Sequence, residues 1–264
     1  MSQNGLVAVI TDFGTRDSYV AEMKAVMLSV DSSIRIIDIS HKIAPGDIEG
    51  AAYILRRSRE YFPEHTVFLS VVDPGVGSER KIVALELENG QRFVGPDNGV
   101  LSWVCRNSEY SAFDISDYHD PSIAKQPSVT FEGRDRMSPV AARLATGEDI
   151  SRFGIKIDGI QTLALPRSRQ DDSKLIGAII WLDHYGNAIT NITEDDIGDA
   201  KTGSKIAVNN RVVANELSRT FSSVAHGEIV AYIGSCGFVE IAVNGGNFAT
   251  EYGIERGAEV EIER

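Results

Sequence analysis

The sequence predicts an N-terminal α/β domain with a mostly parallel sheet, followed by a C-terminal domain that forms an antiparallel β-barrel. Two observations predict this order. Apolar strand-like runs alternate with helix-like stretches in the first part of the chain, as they do in βαβ units. Beyond a polar stretch at residues 166–174, only short β-type runs with turn residues between them follow. We therefore expect domains at residues 1–166 and 174–264, joined by a linker.

The first half of the chain supplies the alternating elements of a Rossmann-like domain. Apolar runs predict strands at residues 6–10, 34–39 and 67–72, and helical spacing of apolar residues predicts helices at 20–30 and 47–61. Glu88-Asn89-Gly90, between two β-type runs, predicts a hairpin. Two more helices are predicted at residues 98–105 and 139–145, the second closed by Gly147.

The second half reads as β structure throughout. Its β-type runs cover residues 175–182, 205–208, 229–233, 238–243 and 260–262. Asn209-Asn210 and Gly245-Gly246 supply turn residues. This spacing of short strands and turns is typical of a small antiparallel domain or barrel.

Composition and charge exclude several classes of function. The chain of 264 residues carries a formal net charge of −12, which argues against a nucleic-acid or anionic-membrane surface and suits a cationic small ligand. No stretch is long enough to span a bilayer. Cys105 and Cys236 have no CxxC partner, so we expect reduced thiols and a cytoplasmic location.

The most informative stretch is the end of the third predicted strand. The apolar run at residues 67–72 ends in Asp73, and a turn rich in Pro and Gly follows. Ligands of open α/β sheets bind outside the carboxyl ends of the strands, so Asp73 is a candidate site residue. Arg80 lies close enough in the sequence to fold back onto it. A tight turn with Asp73 as its cap explains the same residues.

Asp12 stands just after the first predicted strand. A carboxylate there can accept two hydrogen bonds from a ribose diol, and an N-cap for the following helix explains it equally well. Residues 75–80 lack the third glycine of GxGxxG, and the chain has no GK[ST] loop. Dinucleotide and P-loop interpretations therefore have little support.

Two further clusters carry polar chemistry. Residues 130–136 hold four charged side chains and predict either a solvated face or a loop that faces substrate. Residues 183–187 combine Asp, Tyr, Gly and Asn, a pattern that on its own is more typical of a hairpin turn. The histidines lack metal-ligand spacing, so no metal is predicted. The absence of GxSxG and CxxC gives no support for a covalent nucleophile.

These clusters belong to a set of segments that resembles one known family. In order along nearly the whole chain stand ITDFGTRDSYV, DISHKIAPGDIEGAAYIL, VVDPGVGSERK, FVGPDNGVL, TFEGRDRMSPVAA, DHYGNAITNI and GSCGFVEIAVNGG. Together they resemble the S-adenosyl-L-methionine (SAM) hydrolases, also called SAM hydroxide adenosyltransferases, which are related to the fluorinase and chlorinase enzymes. The resemblance implies a homotrimer with active sites between neighbouring subunits. It also implies nucleophilic substitution by water at C5′ of SAM, without a cofactor, which releases adenosine and L-methionine.

The resemblance also implies a role for individual residues. Asp12 would hold the ribose hydroxyls, and Asp17 would lie close to the substrate. Asp73 and Arg80 would position the attacking water. The C-terminal domain would supply the remaining binding groups: Asn187 at the adenine edge with backbone near Val243, Tyr185 and Phe221 on the two adenine faces, Asp183 and Ser235 at the methionine amino-acid end, and Glu240 on the same pocket wall.

The chain departs from the family at one position of the water-holding set. Many members read TFHGRD, whereas this chain has Glu132 where the histidine would stand. A carboxylate can also hold a water or take its proton. Glu132 could be a second water-holding carboxylate, a partner that restrains Arg80 or Arg134, or a bystander. The expectation is that Glu132→His retains activity, because it restores the family residue.

Two alternatives to hydrolysis stay open. A halide transferase of the same fold would bind an anion where hydrolysis needs water, and an ionised Asp73 would repel that anion. A non-catalytic sensor of adenosine or SAM would use the same pocket without turnover.

Overall fold

The computed structural model describes residues 5–106, 108–123, 125–164, 166–198 and 203–263. The chain forms two compact units, Met1–Ala164 and Leu165–Arg264. Each unit contains one sheet and its own apolar core. The predicted α/β class is confirmed.

The N-terminal unit is built on a seven-stranded sheet in the order β2-β1-β3-β5-β4-β6-β7. The first four strands of that order are parallel to one another, and the remaining three pair antiparallel. The strands are β1 (Leu6–Thr11), β2 (Arg35–Ser40), β3 (Val67–Val71), β4 (Ile82–Leu87), β5 (Arg92–Pro96), β6 (Tyr110–Asp114) and β7 (Ile155–Ile157).

Helices cover both faces of the parallel part of this sheet. They are α1 (Tyr19–Val30), α2 (Ile48–Arg59), α3 (Ser102–Cys105) and α4 (Ser138–Ala145). α1 and α4 pack on one face around Met23, Met27 and Val140, and α2 packs on the other around Leu55. The two clusters explain why β1 and β3 are apolar except for Thr11 and Ser70, because their side chains face a core on each side.

The predicted starts of the first three strands and of α1, α2 and α4 agree with the structure to within one residue. Asp47 caps α2 by accepting a hydrogen bond from the Gly50 amide at 2.9 Å, and Gly147 follows α4 with φ +94°. The predicted helix at residues 98–105 is shorter than expected, because only Ser102–Cys105 are α-helical. β6 and β7 were not predicted, since they are short and their pattern is partly polar.

The C-terminal unit is a nine-stranded sheet that is antiparallel except for one short pair, β13 with β14. Contact between β12 and β14 brings its two ends together, which gives the curled, nearly closed form predicted as a barrel. Its strands are β8 (Arg169–Asp171), β9 (Lys174–Leu182), β10 (Ala188–Thr193), β11 (Lys205–Val208), β12 (Arg211–Ala214), β13 (Leu217–Ser218), β14 (Ile229–Ile233), β15 (Phe238–Val243) and β16 (Glu259–Glu263). Its helices are α5 (Glu194–Ile197) and α6 (Phe248–Tyr252).

The polar stretch predicted as a linker is partly sheet. β8 lies within it and pairs with β9 across a turn in which Asp172 has φ +48°. The side chains of β8 are polar and exposed, so its sequence gave no strand signal. In the residues that the structure describes, no helix combines the length and apolarity that crossing a bilayer requires.

Candidate active site

The loops that follow β1 and β3 lie side by side. The two strands are parallel neighbours, and Thr11 at the end of β1 is paired with Val71 at the end of β3. Asp12 and Asp73 follow these strand ends directly. The Asn98 side chain donates a hydrogen bond to the Val72 carbonyl at 2.9 Å and fixes the chain just before Asp73. The sequence predicted a ligand site at this edge of the sheet.

Arg80 folds back onto Asp73, as its spacing predicted. Two successive turns reverse the chain: the Val76 amide donates to the Asp73 carbonyl, and the Ser78 amide donates to the Gly75 carbonyl. The Arg80 Nε then donates to Asp73 Oδ1 at 2.9 Å, and its Nη2 donates to Oδ2. The Asp73 carboxylate therefore binds a guanidinium in a two-pronged ion pair and does not cap the turn.

Glu132 completes a three-residue ion-pair cluster. The same Nη2 of Arg80 donates to Glu132 Oε2, although the two residues are 52 positions apart. Gly133 makes this approach possible: a Cβ on Gly133 would lie 2.9 Å from Val71 Cγ1. A side chain there would push residue 132 away from the end of β3. Glu132 is therefore an ion-pair partner of Arg80.

The cluster is shielded from water. The side chains of Asp73, Arg80 and Glu132 are 5%, 9% and 14% exposed. Burial alone lowers the pKa of the Arg80 guanidinium, but the hydrogen bonds and charges of Asp73 and Glu132 outweigh it and raise that pKa. Arg80 is therefore a permanent cation between two carboxylates.

Asp12 is held by the loop that follows β2. Its Oδ2 accepts a hydrogen bond from the Gly46 amide at 2.8 Å, so it does not cap α1, whose N-cap is Ser18. His41, at the start of that loop, contacts the loop after β1 on both sides of Asp12. Its Nδ1 lies 2.9 Å from the Thr11 hydroxyl, and its carbonyl accepts from the Gly14 amide at 2.7 Å.

The remaining candidate residues of the N-terminal unit differ in how exposed they are to solvent. Asp17 lies in an exposed bend before α1. The charged run at residues 130–136 is not a solvated face, because Asp135 is buried and bound by Arg134. Arg134 also donates to Glu22 at 2.8 Å, which directs it away from Glu132. Among the partners suggested for Glu132, Arg80 is confirmed by the geometry and Arg134 is not.

In the C-terminal unit, residues 183–187 form the turn between β9 and β10. Asp183 holds it together: its Oδ1 accepts from the amides of Tyr185 and Asn187, and its Oδ2 accepts from the Asn187 side chain at 2.9 Å. The hairpin-turn interpretation is therefore correct. It leaves the Asn187 side-chain carbonyl and one N–H for other partners, which is what an adenine edge requires.

The two predicted aromatic residues of this unit are exposed. Tyr185 is 72% exposed and Phe221 is 38% exposed. Phe221 rests against Tyr232 with ring centroids 4.7 Å apart, and the Tyr232 hydroxyl donates to the buried Glu240 carboxylate at 2.8 Å. Glu240 thus supports Tyr232 behind Phe221.

Ser235 and Val243 flank this arrangement. Ser235 is exposed in the turn between β14 and β15, and Val243 is buried at the end of β15. A Cβ on Gly234 would lie 2.0 Å from Glu240 Oε1, so the strand end must carry glycine there for the carboxylate to fit.

Sequence reasoning missed four residues that shape these sites: His41, Asn98, Arg136 and Tyr232. Each acts behind a candidate residue, and a pattern of types and spacings does not reveal such support. Among the described residues, no three His, Cys, Asp or Glu side chains are grouped to hold a metal ion.

Comparison with known proteins gives matches over the whole length of the chain. Family models for the SAM hydroxide adenosyltransferase N-terminal and C-terminal domains match residues 7–154 and 177–261. The (R)-S-adenosyl-L-methionine hydrolase of Thermus thermophilus is 36% identical over 97% of this chain and 98% of that protein. A fluorinase of Nocardia brasiliensis is 29% identical over 97% and 96%. A crystal structure of an uncharacterized conserved protein from Thermotoga maritima matches with TM-score 0.91 and 34% identity, over 98% of this chain and 100% of that one.

Proposed function

Since the chain belongs to the SAM hydroxide adenosyltransferase family, we propose that it hydrolyses S-adenosyl-L-methionine to adenosine and L-methionine. The Asp73–Arg80–Glu132 cluster at the end of β3 is the observation that carries this proposal. Its two carboxylates offer acceptor positions for one water, and its guanidinium holds both carboxylates in place. The T. thermophilus relative is named for the (R) form of the substrate, and we propose the same preference here.

The reaction places few demands on the protein. The leaving group is neutral methionine, so no general acid is needed. Water must be held in line with the C5′–S bond, and such positioning supplies several kcal/mol of a barrier of this kind. Asp73 accepts one proton of the water as the oxygen attacks C5′, and Arg80 keeps Asp73 from turning away. Glu132, on the other side of Arg80, holds the guanidinium and accepts a second hydrogen bond from the water.

The remaining candidate residues bind the substrate. We assign Asp12 to the ribose hydroxyls, because the Gly46 amide binds its Oδ2 and leaves Oδ1 for the substrate. We assign Asp17 to a place near the substrate. Residues of the C-terminal unit take the rest of the molecule, by the roles that the family implies. They are Asn187, Val243, Tyr185 and Phe221 for adenine, and Asp183, Ser235 and Glu240 for the wall at the methionine end.

Halide transfer is the second candidate because fluorinases are also relatives. The charges disfavour it. The Nε and Nη2 groups of Arg80 are bound to carboxylates, so they are not offered to an anion. A halide beside Asp73 and Glu132 would face two negative charges in a shielded site, where repulsion is stronger than in water.

One incubation separates the candidates. The purified protein is mixed with SAM, with and without chloride, and the products are separated by chromatography. We expect the same amounts of adenosine and methionine with and without chloride. Chloroadenosine would establish halide transfer, and unchanged SAM together with measurable adenosine binding would establish a sensor.

A homotrimer with sites between subunits, acting in the cytoplasm, completes the proposal. The free thiols Cys105 and Cys236 support a reducing compartment. Subunit mixing tests the assembly. With SAM well below the parent KM, Asp73→Asn and Asn187→Ala are each expected to be nearly inactive, and mixed oligomers should regain activity if one subunit supplies residue 73 and its neighbour supplies residue 187. No recovery in mixed oligomers would place both residues of a site in one subunit.

A further inference from the structure

Arg136 lies on the far side of Glu132 from Arg80. It belongs to a π-helical turn, Gly133–Met137, that leads into α4. Its Nη1 donates to the carbonyls of Ser116 and Tyr118 at 2.6 and 3.0 Å. The main chain of another segment therefore sets the position of this guanidinium, independently of Glu132.

The Nε of Arg136 faces the free oxygen of Glu132. It lies 3.6 Å from Oε1, and Oε2 is the oxygen that binds Arg80. Within the described part of the chain this buried Nε has no hydrogen-bond partner. A small movement of Glu132 would complete that bond. Glu132 thus bridges two guanidinium groups, one on each oxygen.

The four side chains form a row of alternating charge, Asp73–Arg80–Glu132–Arg136, with no net charge. Without Arg136, the two carboxylates would share one cation in a shielded site. With a neutral histidine at position 132, as in many relatives, Arg80 alone would balance Asp73 and Arg136 would have no anionic partner. The need for Arg136 is therefore tied to the glutamate.

We propose that Glu132 and Arg136 act as one unit in place of the usual histidine, with Arg136 as a positioning residue that acts through Glu132. This inference rests on the proposed function. It also changes one expectation from the sequence. Glu132→His alone should lose activity. A neutral imidazole can accept a hydrogen bond from Arg80, but it carries no negative charge to balance Arg136.

A double-mutant cycle tests the pair. Parent, Arg136→Gln, Glu132→His and the double variant are compared for kcat and KM with SAM, and for adenosine affinity. We expect Arg136→Gln to lower kcat about tenfold in the parent, with KM and adenosine affinity within twofold. In the Glu132→His background the same change should leave kcat unchanged or raise it, a coupling of about 1.4 kcal/mol. Arg136→Lys, which keeps the charge, should recover part of the loss.

Arg143→Gln is the matched control, because Arg143 also binds two acidic side chains of this unit, Asp120 and Glu148. It should lower the unfolding temperature without lowering kcat. Equal losses from Arg136→Gln in both backgrounds would show that Arg136 only supports the fold, and a parent-like kcat would show that it has no part in turnover; either result overturns the inference. A parent that releases no adenosine would instead overturn the proposed function and this inference with it.

Discussion

The two halves of the candidate machinery are built in different ways. In the N-terminal unit, Asp73, Arg80 and Glu132 come from distant segments and are joined by shielded ion pairs. In the C-terminal unit, Asp183 and Asn187 are joined within one five-residue turn, and the rings of Tyr185 and Phe221 are exposed. The first half is fixed by tertiary structure, and the second by local hydrogen bonds.

This difference matches two kinds of task. A water that must attack in line needs hydrogen-bond acceptors that do not move. Buried ion pairs hold such acceptors in place, since removing one partner costs several kcal/mol of folding stability. A purine ring needs flat surfaces that are free until it arrives, which exposed aromatic side chains provide. We therefore expect changes in the N-terminal unit to affect kcat and changes in the C-terminal unit to affect binding.

Asp73→Asn should give the largest effect of the substitutions considered. The amide keeps the shape of the carboxylate but loses its charge and basicity. We expect kcat to fall about 10²- to 10⁴-fold, as for other lost acid–base groups, with adenosine affinity nearly unchanged. Steady-state kinetics and calorimetry measure both quantities. Asp158→Asn, at an exposed position of the same unit, should keep the parent rate. A similar kcat for both variants would remove Asp73 from the chemistry.

A pair of glycine substitutions tests whether the N-terminal unit controls kcat and the C-terminal unit controls binding. The new Cβ of Gly133→Ala would press on Val71 and displace Glu132, so we expect about tenfold lower kcat and about 1–3 kcal/mol lower stability. Gly234→Ala would displace Glu240 and disturb Tyr232, so we expect a higher KM with kcat retained. Gly159→Ala, whose Cβ would meet nothing closer than 3.9 Å, is the control. The comparison fails if Gly133→Ala changes only KM.

Tyr185→Ala tests the exposed rings. Stacking of a base on an aromatic side chain contributes about 1–3 kcal/mol, so adenosine affinity should fall about tenfold or more while the unfolding temperature stays the same. Tyr61 in the N-terminal unit is equally exposed, at 72%, and Tyr61→Ala is the matched control. Calorimetric titration with adenosine measures both variants. Equal affinity for the two would exclude Tyr185 from the adenine site.

Acid should destabilise the N-terminal unit, with a smaller effect than the substitutions above. Burial raises the pKa of Asp135, but hydrogen bonds from Arg134 and Ser128 outweigh it and lower that pKa; Asp120 is lowered likewise by Ser122 and Arg143. A lowered folded-state pKa contributes stability above the ordinary carboxyl range, about pH 4, which is lost as the pH falls through the lowered values.

The chain provides one reporter for each unit, because its two tryptophans are Trp103 and Trp181. Fluorescence of Trp103 in a Trp181→Phe variant, followed as the pH falls, should report loss of the N-terminal unit below about pH 4. Asp135→Asn should reduce the acid-dependent drop in unfolding temperature by a few degrees, since about 1 kcal/mol corresponds to about 2–4 °C in a protein of this size. The same acid-dependent drop in Asp135→Asn and the parent would contradict the assignment.

The fold was predictable wherever burial leaves a clear pattern. Strands β1 and β3 read as apolar runs because both of their faces are covered, and Asn209-Asn210 marks a turn because both residues adopt positive φ. β8 carries no such signal, since its exposed side chains are all polar. A sequence pattern indicates the conformation of its own segment, but it does not indicate which strand pairs with that segment across the sheet.

The same limit applies to the candidate site. The return of Arg80 to Asp73 follows from a short spacing and a turn, so residues alone suggested it. The residues alone placed Glu132 in a charged run without a specific role, and only the family resemblance linked it to Arg80, because the two are 52 positions apart. Arg136 and Tyr232 were not predicted at all, since their importance depends on which side chain they support.

The π-helical turn at Gly133–Met137 has a consequence for how this gene can vary. The turn holds one residue more than an α-helical turn, and the Ser138 hydroxyl closes it on the Gly133 carbonyl at 2.7 Å. Loss of a single codon here would let the segment relax to an α-helix and change the angles at which Gly133 and Arg136 leave the helix axis. We therefore expect in-frame deletions scanned along the gene to be tolerated at the exposed β8 hairpin and to abolish activity here.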